Sequence, residues 1–161
     1  MNTNTPHGST TFAPDPQTVA NAVGEAMYAR DYCAQHLGIT LEAIAPNYAR
    51  MTMTVRREML NGFAILHGGI LTTLADTAFA YACNSGNEMT VAAGIATEFL
   101  APAHEGDQLT AECRVVGEAG RTGVYDVTVT NQHGKLIAVM RGKSYRRKGH
   151  PICPVESKPH P

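Results

Sequence analysis

The sequence predicts an α+β domain built from an N-terminal helix, one or two strands, one long buried helix and four further antiparallel strands. Apolar and polar residues alternate between 48 and 57, as in a strand with one buried face. Residues 61–86 are apolar on nearly every side of a helix, which is typical of a helix buried in a core. Short connections that contain glycine join the later strands and predict antiparallel neighbours: 103–107, 117–123 and 131–134.

Each element has a local signal of its own. Pro16 and a run of apolar residues near helical spacing predict a first helix over 17–36, and Gly38 is placed to end it. Met51 and Met53 share one face of the first strand. Four more strands are expected, over 90–101, 108–117, 123–131 and 135–146.

Length and composition describe one domain with two tails. The chain has 161 residues, and we expect a single domain over 17–146 between disordered tails at 1–16 and 147–161. Charged residues make up 17% of the chain, below the roughly 25% usual for soluble domains, which favours self-association. A net charge of −1 disfavours nucleic-acid binding as the main role.

The sequence carries no recognisable targeting signal or metal motif. No apolar run is long enough to span a membrane, and no basic segment precedes an apolar one near the start, so we expect a cytoplasmic protein without a membrane partner. The four cysteines are 50, 30 and 40 residues apart, and the seven histidines have no ligand-like spacing. We therefore expect no metal site.

Asp76 is the only strongly charged side chain of the buried helix between His67 and Glu88. An ionised carboxylate in a core helix costs several kcal/mol unless partners or water satisfy it. Two interpretations remain open. In the first, Asp76 hydrogen-bonds Thr72, Thr73 or a neighbouring strand and only fixes the packing. In the second, Asp76 is a catalytic carboxylate.

The start of the same helix offers a second feature. Backbone N–H groups around His67, Gly68 and Gly69 have no partner inside the helix and lie at the positive end of its dipole. Glycine lets a ligand approach these groups, which are placed to polarise a carbonyl oxygen. Gly68 and Asp76 are eight residues apart, roughly 12 Å along a helix. One carbonyl group cannot touch both, so a site that uses both must lie between two protomers.

Two segments, LNGFAILHGG and LADTAFAYACNS, resemble the signature of hotdog-fold acyl-CoA thioesterases of the phenylacetic acid degradation (PaaI) type. The resemblance continues through MTMTV, FLAPAHEGDQL and TGVYDVTV to RGKSYRR, and so covers residues 17–146. It implies a hotdog fold, in which a long antiparallel sheet wraps around one central helix. It also implies a homodimer with a continuous sheet that assembles into a homotetramer.

The resemblance further implies roles for four residues. Asp76 is expected to be the catalytic carboxylate, either as nucleophile or as the base that activates water. The N–H of Gly68 is expected to polarise the thioester carbonyl, and Asn61 to orient the water or the Asp76 carboxylate of the other protomer. His67 lies beside the carbonyl, either as a catalytic group or only as a residue that shapes the loop. Some relatives carry Ser or Thr on the next strand, whereas residues 91–94 here have no hydroxyl.

The substrate that the resemblance implies is phenylacetyl-CoA or a ring-hydroxylated phenylacetyl-CoA, hydrolysed to the free acid and CoA in phenylacetate catabolism. CoA is then part of the substrate, and no separate cofactor is expected. Candidates to contact the acyl group are Gly69 and three aromatic residues that could instead fill the core: Tyr48, Phe63 and Phe79. Four basic residues either bind the CoA phosphates or form a solvated strand edge: Arg121, Arg141, Lys143 and Arg146.

Other functions fit the sequence less well. A hotdog-fold enoyl-CoA hydratase carries a histidine five residues after its aspartate, where this chain has Tyr81. A non-catalytic acyl-CoA-binding oligomer that regulates transcription needs a DNA-binding domain, and the residues before the first strand form one helix at most. A purely structural oligomer leaves Asp76 unexplained.

Overall fold

The computed structural model describes residues 13–155, which form three α-helices and six strands. The helices are α1 (Pro16–Tyr28), α2 (Tyr32–Leu37) and α3 (Gly68–Asn84). The strands are β1 (Thr40–Ala45), β2 (Tyr48–Thr54), β3 (Thr90–Phe99), β4 (Gln108–Ala119), β5 (Thr122–Thr130) and β6 (Leu136–Arg146). No helix within this range is long and apolar enough to cross a membrane. The predicted class, an antiparallel sheet with a central helix and an N-terminal helix, is confirmed.

The six strands form one antiparallel sheet in the order β1-β2-β4-β5-β6-β3. Helix α3 packs across one face of this sheet and contacts all six strands. Its direction is opposite to that of β3, because Gly68 lies beside Phe99 whereas Asn84 hydrogen-bonds the backbone of Thr90. Strands β1 and β3 are the two edges of the sheet.

The core lies between α3 and the helix-facing side of the sheet. Met51 and Met53 are buried there, as their alternation predicted. Phe79 from α3 packs against Tyr125 of β5 with 5.6 Å between ring centroids. Gly142 makes room for this pair, since a Cβ at that position would lie 2.8 Å from Phe79 Cζ. The close packing of Phe79 therefore requires a glycine at position 142 of β6.

The N-terminal helix predicted over 17–36 is in fact two helices. Helix α2 begins after Asp31, whose carboxylate accepts a hydrogen bond from the N–H of Ala34 at 3.0 Å. The prediction was wrong because apolar spacing continues across the break, whereas the Asp31 side chain caps a new helix. Gly38 ends α2 in a left-handed conformation with φ of 69°, as expected of a terminal glycine.

The connection 100–107 does not join neighbouring strands, contrary to the prediction. Strand β3 pairs with β6, so two strands separate β3 from β4. The N–H groups of Leu100 and Ala101 donate to the carbonyl of Ile137, and the connection crosses the end of the sheet. Eight residues reach up to about 26 Å, whereas three strand spacings need only about 14 Å. Loop length alone therefore could not decide the pairing.

The backbone after β6 follows a hydrogen-bonded path over 147–153, where we expected a disordered tail. The side-chain oxygen of Asn87 accepts from the N–H groups of Ile152 and Cys153 at 2.9 and 3.1 Å, and its amide donates to the Cys153 carbonyl at 2.9 Å. The expectation rested on composition, which does not report partners that lie far away in sequence. The rest of the expected tails, 1–12 and 156–161, lies outside the described residues.

Candidate active site

The start of α3 leaves one backbone donor free. His67 caps the helix: its Nδ1 accepts from the N–H of Gly69 at 2.9 Å, and its carbonyl accepts from the N–H groups of Ile70 and Leu71. Within residues 13–155, no hydrogen bond uses the N–H of Gly68. Because a first-turn N–H lies at the positive end of the helix dipole, the Gly68 N–H is suited to bind a carbonyl oxygen or an anion.

The cap also assigns a state to the His67 ring. A nitrogen that accepts a hydrogen bond from a backbone N–H carries no proton, so a neutral His67 has its proton on Nε2. The imidazole is exposed, and its Nε2–H has no acceptor within the described residues. His67 therefore shapes the helix start through Nδ1 and keeps Nε2–H as a donor.

Asn61 organises the loop that precedes α3. Its side-chain oxygen accepts from the N–H groups of Phe63 at 2.9 Å and Ile65 at 3.5 Å, and its own N–H donates to the Ile65 carbonyl at 2.8 Å. Ala64 in this loop has a left-handed φ of 57°, which is costly for a residue with a side chain. The NH₂ group of the Asn61 side chain makes no hydrogen bond within residues 13–155, so Asn61 keeps a free donor while its side-chain oxygen is already used.

A cavity of about 460 Å³ lies beside this free donor. It is bounded by the loop before α3, the first turn of α3 and the crossing connection after β3. Its lining residues are Asn61, Ile65, Leu66, Gly68, Leu71, Phe99, Leu100, Ala101, Pro102 and Ala103. The cavity therefore combines a largely apolar wall with two unused donors, which is the usual composition of a site for a small acyl group.

Asp76 lies half-buried on α3, and burial raises the pKa of its carboxyl group above the ordinary value. The structure contradicts the interpretation in which Asp76 hydrogen-bonds Thr72, Thr73 or a neighbouring strand. The hydroxyl of Thr73 donates to the Gly69 carbonyl and that of Thr77 to the Thr73 carbonyl, and Asp76 has no hydrogen-bond partner within residues 13–155. A desolvated carboxylate without a partner is typical of a functional group rather than a packing residue.

Gly68 and Asp76 are not brought together within one protomer. They lie eight residues apart on one continuous helix, and Asp76 does not line the cavity beside Gly68. The edge strand β3 contacts α3 and leaves apolar side chains uncovered, with Val91 46% and Ile95 43% exposed. A free strand edge with uncovered apolar side chains is a surface suited to pairing with a second copy.

Thr97 supplies a hydroxyl on β3 that the sequence analysis missed. It lies opposite the buried Met140 in the register of β3 with β6, so it shares the helix-facing side of the sheet. Its buried oxygen has no hydrogen-bond partner within residues 13–155. The expectation of a hydroxyl concerned only residues 91–94, and the bulge between Ala92 and Gly94 changes which β3 residues face the helix.

The predicted aromatic contacts do not converge on the cavity. Phe79 is buried in the core, and Phe63 is 86% exposed on the loop outside the cavity lining. Tyr48 lies on the face of the sheet away from α3, where its hydroxyl donates to Glu112. Phe99, which the sequence analysis did not select, is the aromatic residue that lines the cavity.

The predicted basic cluster is also dispersed. Arg141 is held by Asp126 through two hydrogen bonds of 2.7 Å, and this guanidinium lowers the pKa of the Asp126 carboxyl. Arg146 pairs with Glu118 beside the end of α3 that is remote from Gly68. Arg121 and Lys143 are exposed and form no ion pair within residues 13–155.

Neither a metal cluster nor the thiol of Cys83 adds a reactive group to this site in residues 13–155. No cluster of three His, Cys, Asp or Glu residues there could hold a metal ion. Cys83 is buried, and burial raises the pKa of its thiol to about 12, so it stays protonated and unreactive at neutral pH.

Comparison with known proteins identifies relatives over most of the chain. A profile of the thioesterase superfamily matches residues 63–138. Over 124 residues the chain is 48% identical to acyl-coenzyme A thioesterase PaaI of Escherichia coli (strain K12). The aligned region covers 77% of this chain and 89% of that protein.

Solved structures of similar proteins also match this chain. The structure of the E. coli PaaI protein from the phenylacetic acid degradation operon matches with a TM-score of 0.83 and 45% identity, over 84% of this chain and 99% of that one. The structure of smu.793 from Streptococcus mutans UA159 bound to acetyl CoA matches with a TM-score of 0.66 and 26% identity, over 68% of this chain and 88% of that one.

Proposed function

This chain belongs to the thioesterase superfamily as an acyl-CoA thioesterase of the PaaI type with the hotdog fold, and from that membership we propose its substrate, assembly and mechanism. The substrate is phenylacetyl-CoA or a ring-hydroxylated phenylacetyl-CoA, hydrolysed to the free acid and CoA in phenylacetate catabolism. The E. coli relative, from a phenylacetic acid degradation operon, supports this choice. CoA enters as part of the substrate, no separate cofactor takes part, and the reaction takes place in the cytoplasm.

The observation that carries the proposal is the free Gly68 N–H beside an apolar cavity with an aromatic wall. The thioester carbonyl oxygen accepts from this N–H, which stabilises the negative charge that develops on the oxygen during attack. The acyl group occupies the cavity. The Asn61 amide donates either to the same oxygen or to the attacking carboxylate, because the Asn61 oxygen is already used by the loop backbone.

Asp76 drives the attack in one of two ways. As a base, it takes a proton from water while the water oxygen bonds to the carbonyl carbon, and the C–S bond then breaks to release CoA. As a nucleophile, its carboxylate oxygen bonds to the carbonyl carbon, the C–S bond breaks to release CoA, and water then hydrolyses the anhydride that remains on Asp76. The raised pKa of Asp76 suits the first route, because a stronger base accepts the proton of water more readily.

The Asp76 that serves one cavity comes from a second copy of the chain. Asp76 lies roughly 12 Å along α3 from the Gly68 of its own protomer, which is too far for one carbonyl group to reach both. Pairing of two β3 edges would continue the sheet across a dimer and bury Val91 and Ile95. We propose that such dimers assemble further into homotetramers.

The CoA phosphates require positive charge near the mouth of the shared site. Arg141 and Arg146 already pair with carboxylates, whereas Arg121 and Lys143 do not pair within the described residues. Arg121 and Lys143 are therefore the better candidates for the phosphates, from whichever protomer faces the cavity. A hydratase is disfavoured, because Tyr81 is buried and its hydroxyl donates to Asp31.

Thiol release from a panel of acyl-CoA substrates tests the proposal. The panel contains phenylacetyl-CoA, hydroxyphenylacetyl-CoA, hexanoyl-CoA, palmitoyl-CoA and crotonyl-CoA, with the wild type beside Asp76→Asn. Asp126→Asn is the matched control, since it removes a carboxylate on the far face of the sheet.

We expect the aryl-acetyl substrates to have the highest kcat/KM, and Asp76→Asn to lower it by about a thousandfold or more while Asp126→Asn does not. Faster hydrolysis of palmitoyl-CoA contradicts the substrate, and unchanged hydrolysis by Asp76→Asn contradicts the mechanism. Binding of acyl-CoA without any thiol release would favour the non-catalytic alternative.

A further inference from the structure

Phe99 holds an unusual position at the last residue of β3. It lies opposite the buried Ala138 in the strand register, so its ring is on the helix-facing side of the sheet. Nevertheless 56% of its surface is exposed. A large aromatic side chain that points inward and remains half uncovered indicates a surface that something else covers.

The ring of Phe99 and the glycine at position 68 are matched to each other. A Cβ on Gly68 would lie 3.1 Å from Phe99 Cζ, which is closer than ordinary contact, and 3.4 Å from Cε1. The tip of the ring therefore lies directly against the first residue of α3, whose N–H is the unused donor. The free donor and the exposed ring are two walls of the same cavity.

We propose that Phe99 is a specificity-determining residue, and that its exposed ring face packs against the aromatic ring of the acyl group. The inference rests on the proposed function, because it takes the thioester carbonyl to be bound at Gly68. An acyl group whose carbonyl oxygen accepts from Gly68 N–H extends into the cavity, where the other lining side chains are aliphatic or polar. Phe99 is thus the group there that can distinguish an aryl ring from an alkyl chain of similar length.

The size of the effect follows from aromatic packing. Two aromatic rings in offset or edge-to-face contact gain more than their area burial alone provides, and the gain corresponds to about two- to twelvefold in an equilibrium or rate ratio. Phe99→Leu keeps an apolar side chain but removes the ring. It should therefore lower the ratio of kcat/KM for phenylacetyl-CoA to that for hexanoyl-CoA by about two- to twelvefold.

The experiment measures this ratio for the wild type, Phe99→Leu and Phe99→Tyr, with Tyr32→Leu as the matched control. Phe99→Tyr keeps the ring and should retain the ratio. Tyr32 is 76% exposed at the start of α2 and does not line the cavity, so its loss should leave the ratio unchanged. Light scattering on each variant checks that the oligomeric state is the same.

A Phe99→Leu variant that loses activity equally on both substrates would overturn the inference, since Phe99 would then act only in packing or assembly. Failure of the proposed function would instead be visible in the substrate preference of the wild type. A wild type that prefers hexanoyl-CoA overturns the proposed substrate, yet a lower ratio in Phe99→Leu would still support the role of Phe99. A wild type that prefers phenylacetyl-CoA, with an unchanged ratio in Phe99→Leu, retains the substrate and rejects the inference.

Discussion

Gly142 and Gly68 each face the tip of a phenylalanine ring. Replacing Gly142 with alanine should destabilise the fold, whereas replacing Gly68 should lower turnover with little effect on stability. At Gly142 the added methyl group would lie 2.8 Å from Phe79 Cζ and 2.9 Å from Cε1 and Cε2. Phe79 is 1% exposed and packs on Tyr125, so its ring has nowhere to move. Overpacking of this kind costs about 1–3 kcal/mol, and we expect Gly142→Ala to lower the free energy of unfolding by that amount.

At Gly68 the same change meets a ring that can move. The methyl group would lie 3.1 Å from Phe99 Cζ, so the ring must shift by a few tenths of an ångström. Phe99 is 56% exposed, and alanine is favoured over glycine in a helix by up to about 1 kcal/mol. The free energy of unfolding of Gly68→Ala should therefore stay within about 1 kcal/mol of the wild type. Turnover should still fall by about a hundredfold, because the methyl group crowds the oxygen that the Gly68 N–H binds.

Urea unfolding at one fixed protomer concentration measures the stabilities, and thiol release from the preferred acyl-CoA measures turnover. Gly142→Ala serves as the packing control for Gly68→Ala. If Gly68→Ala loses as much stability as Gly142→Ala, the Phe99 ring is fixed and the reasoning about its mobility is wrong. If Gly68→Ala turns over normally, the role given to the start of α3 is refuted.

Three further predictions concern hydrogen bonding: Asp76 and Thr97 have no hydrogen-bond partner within residues 13–155, whereas Asn87 has several. Burial raises the pKa of Asp76, so its ionised form destabilises the folded chain and the neutral form does not. Asp76→Asn should therefore have a larger free energy of unfolding than the wild type at pH 8. This difference should shrink as the pH falls through the raised pKa of Asp76 towards the ordinary value of 3.8. A variant that is less stable than the wild type at pH 8 would contradict the prediction. Thr97→Val removes a buried hydroxyl without a partner in residues 13–155 and should raise the free energy of unfolding by about 1 kcal/mol, whereas a decrease would mean that a second copy supplies the partner. Asn87→Gly keeps the left-handed φ of 61° but loses the hydrogen bonds to 152–153, so amide exchange at Ile152 and Cys153 should accelerate; unchanged exchange would exclude Asn87 as the anchor of that segment.

The fold could be predicted wherever the signal is local. Alternation at Met51 and Met53 and the apolar circumference of α3 report burial directly, and both features are present in the structure. The same alternation, applied strictly, also places Tyr48 on the opposite face, since it lies three positions before Met51 and side chains an odd number of positions apart point to opposite faces of a strand. The expectation that Tyr48 lines a pocket was therefore avoidable.

The rest depends on contacts between residues far apart in sequence. Nothing near Phe99 indicates that it lies against Gly68, because their proximity follows from β3 pairing with β6 and running opposite to α3. Asn87 binds 152–153 only after β3 and β6 have brought the two segments together. For the candidate site, the sequence identified Asp76 and Gly68. The structure adds that neither the Asp76 carboxyl group nor the Gly68 N–H has a hydrogen-bond partner among residues 13–155.

If Asp76 of one protomer serves the cavity beside Gly68 of another, mixing subunits of two inactive variants should restore activity. Asp76→Asn and Gly68→Ala are each purified, unfolded together in urea and refolded, and native mass spectrometry confirms that mixed dimers form. A mixed dimer holds one intact shared site, so random mixing should restore about one quarter of wild-type thiol release. Activity no greater than that of the two variants measured separately, despite proven mixed dimers, would contradict a shared site.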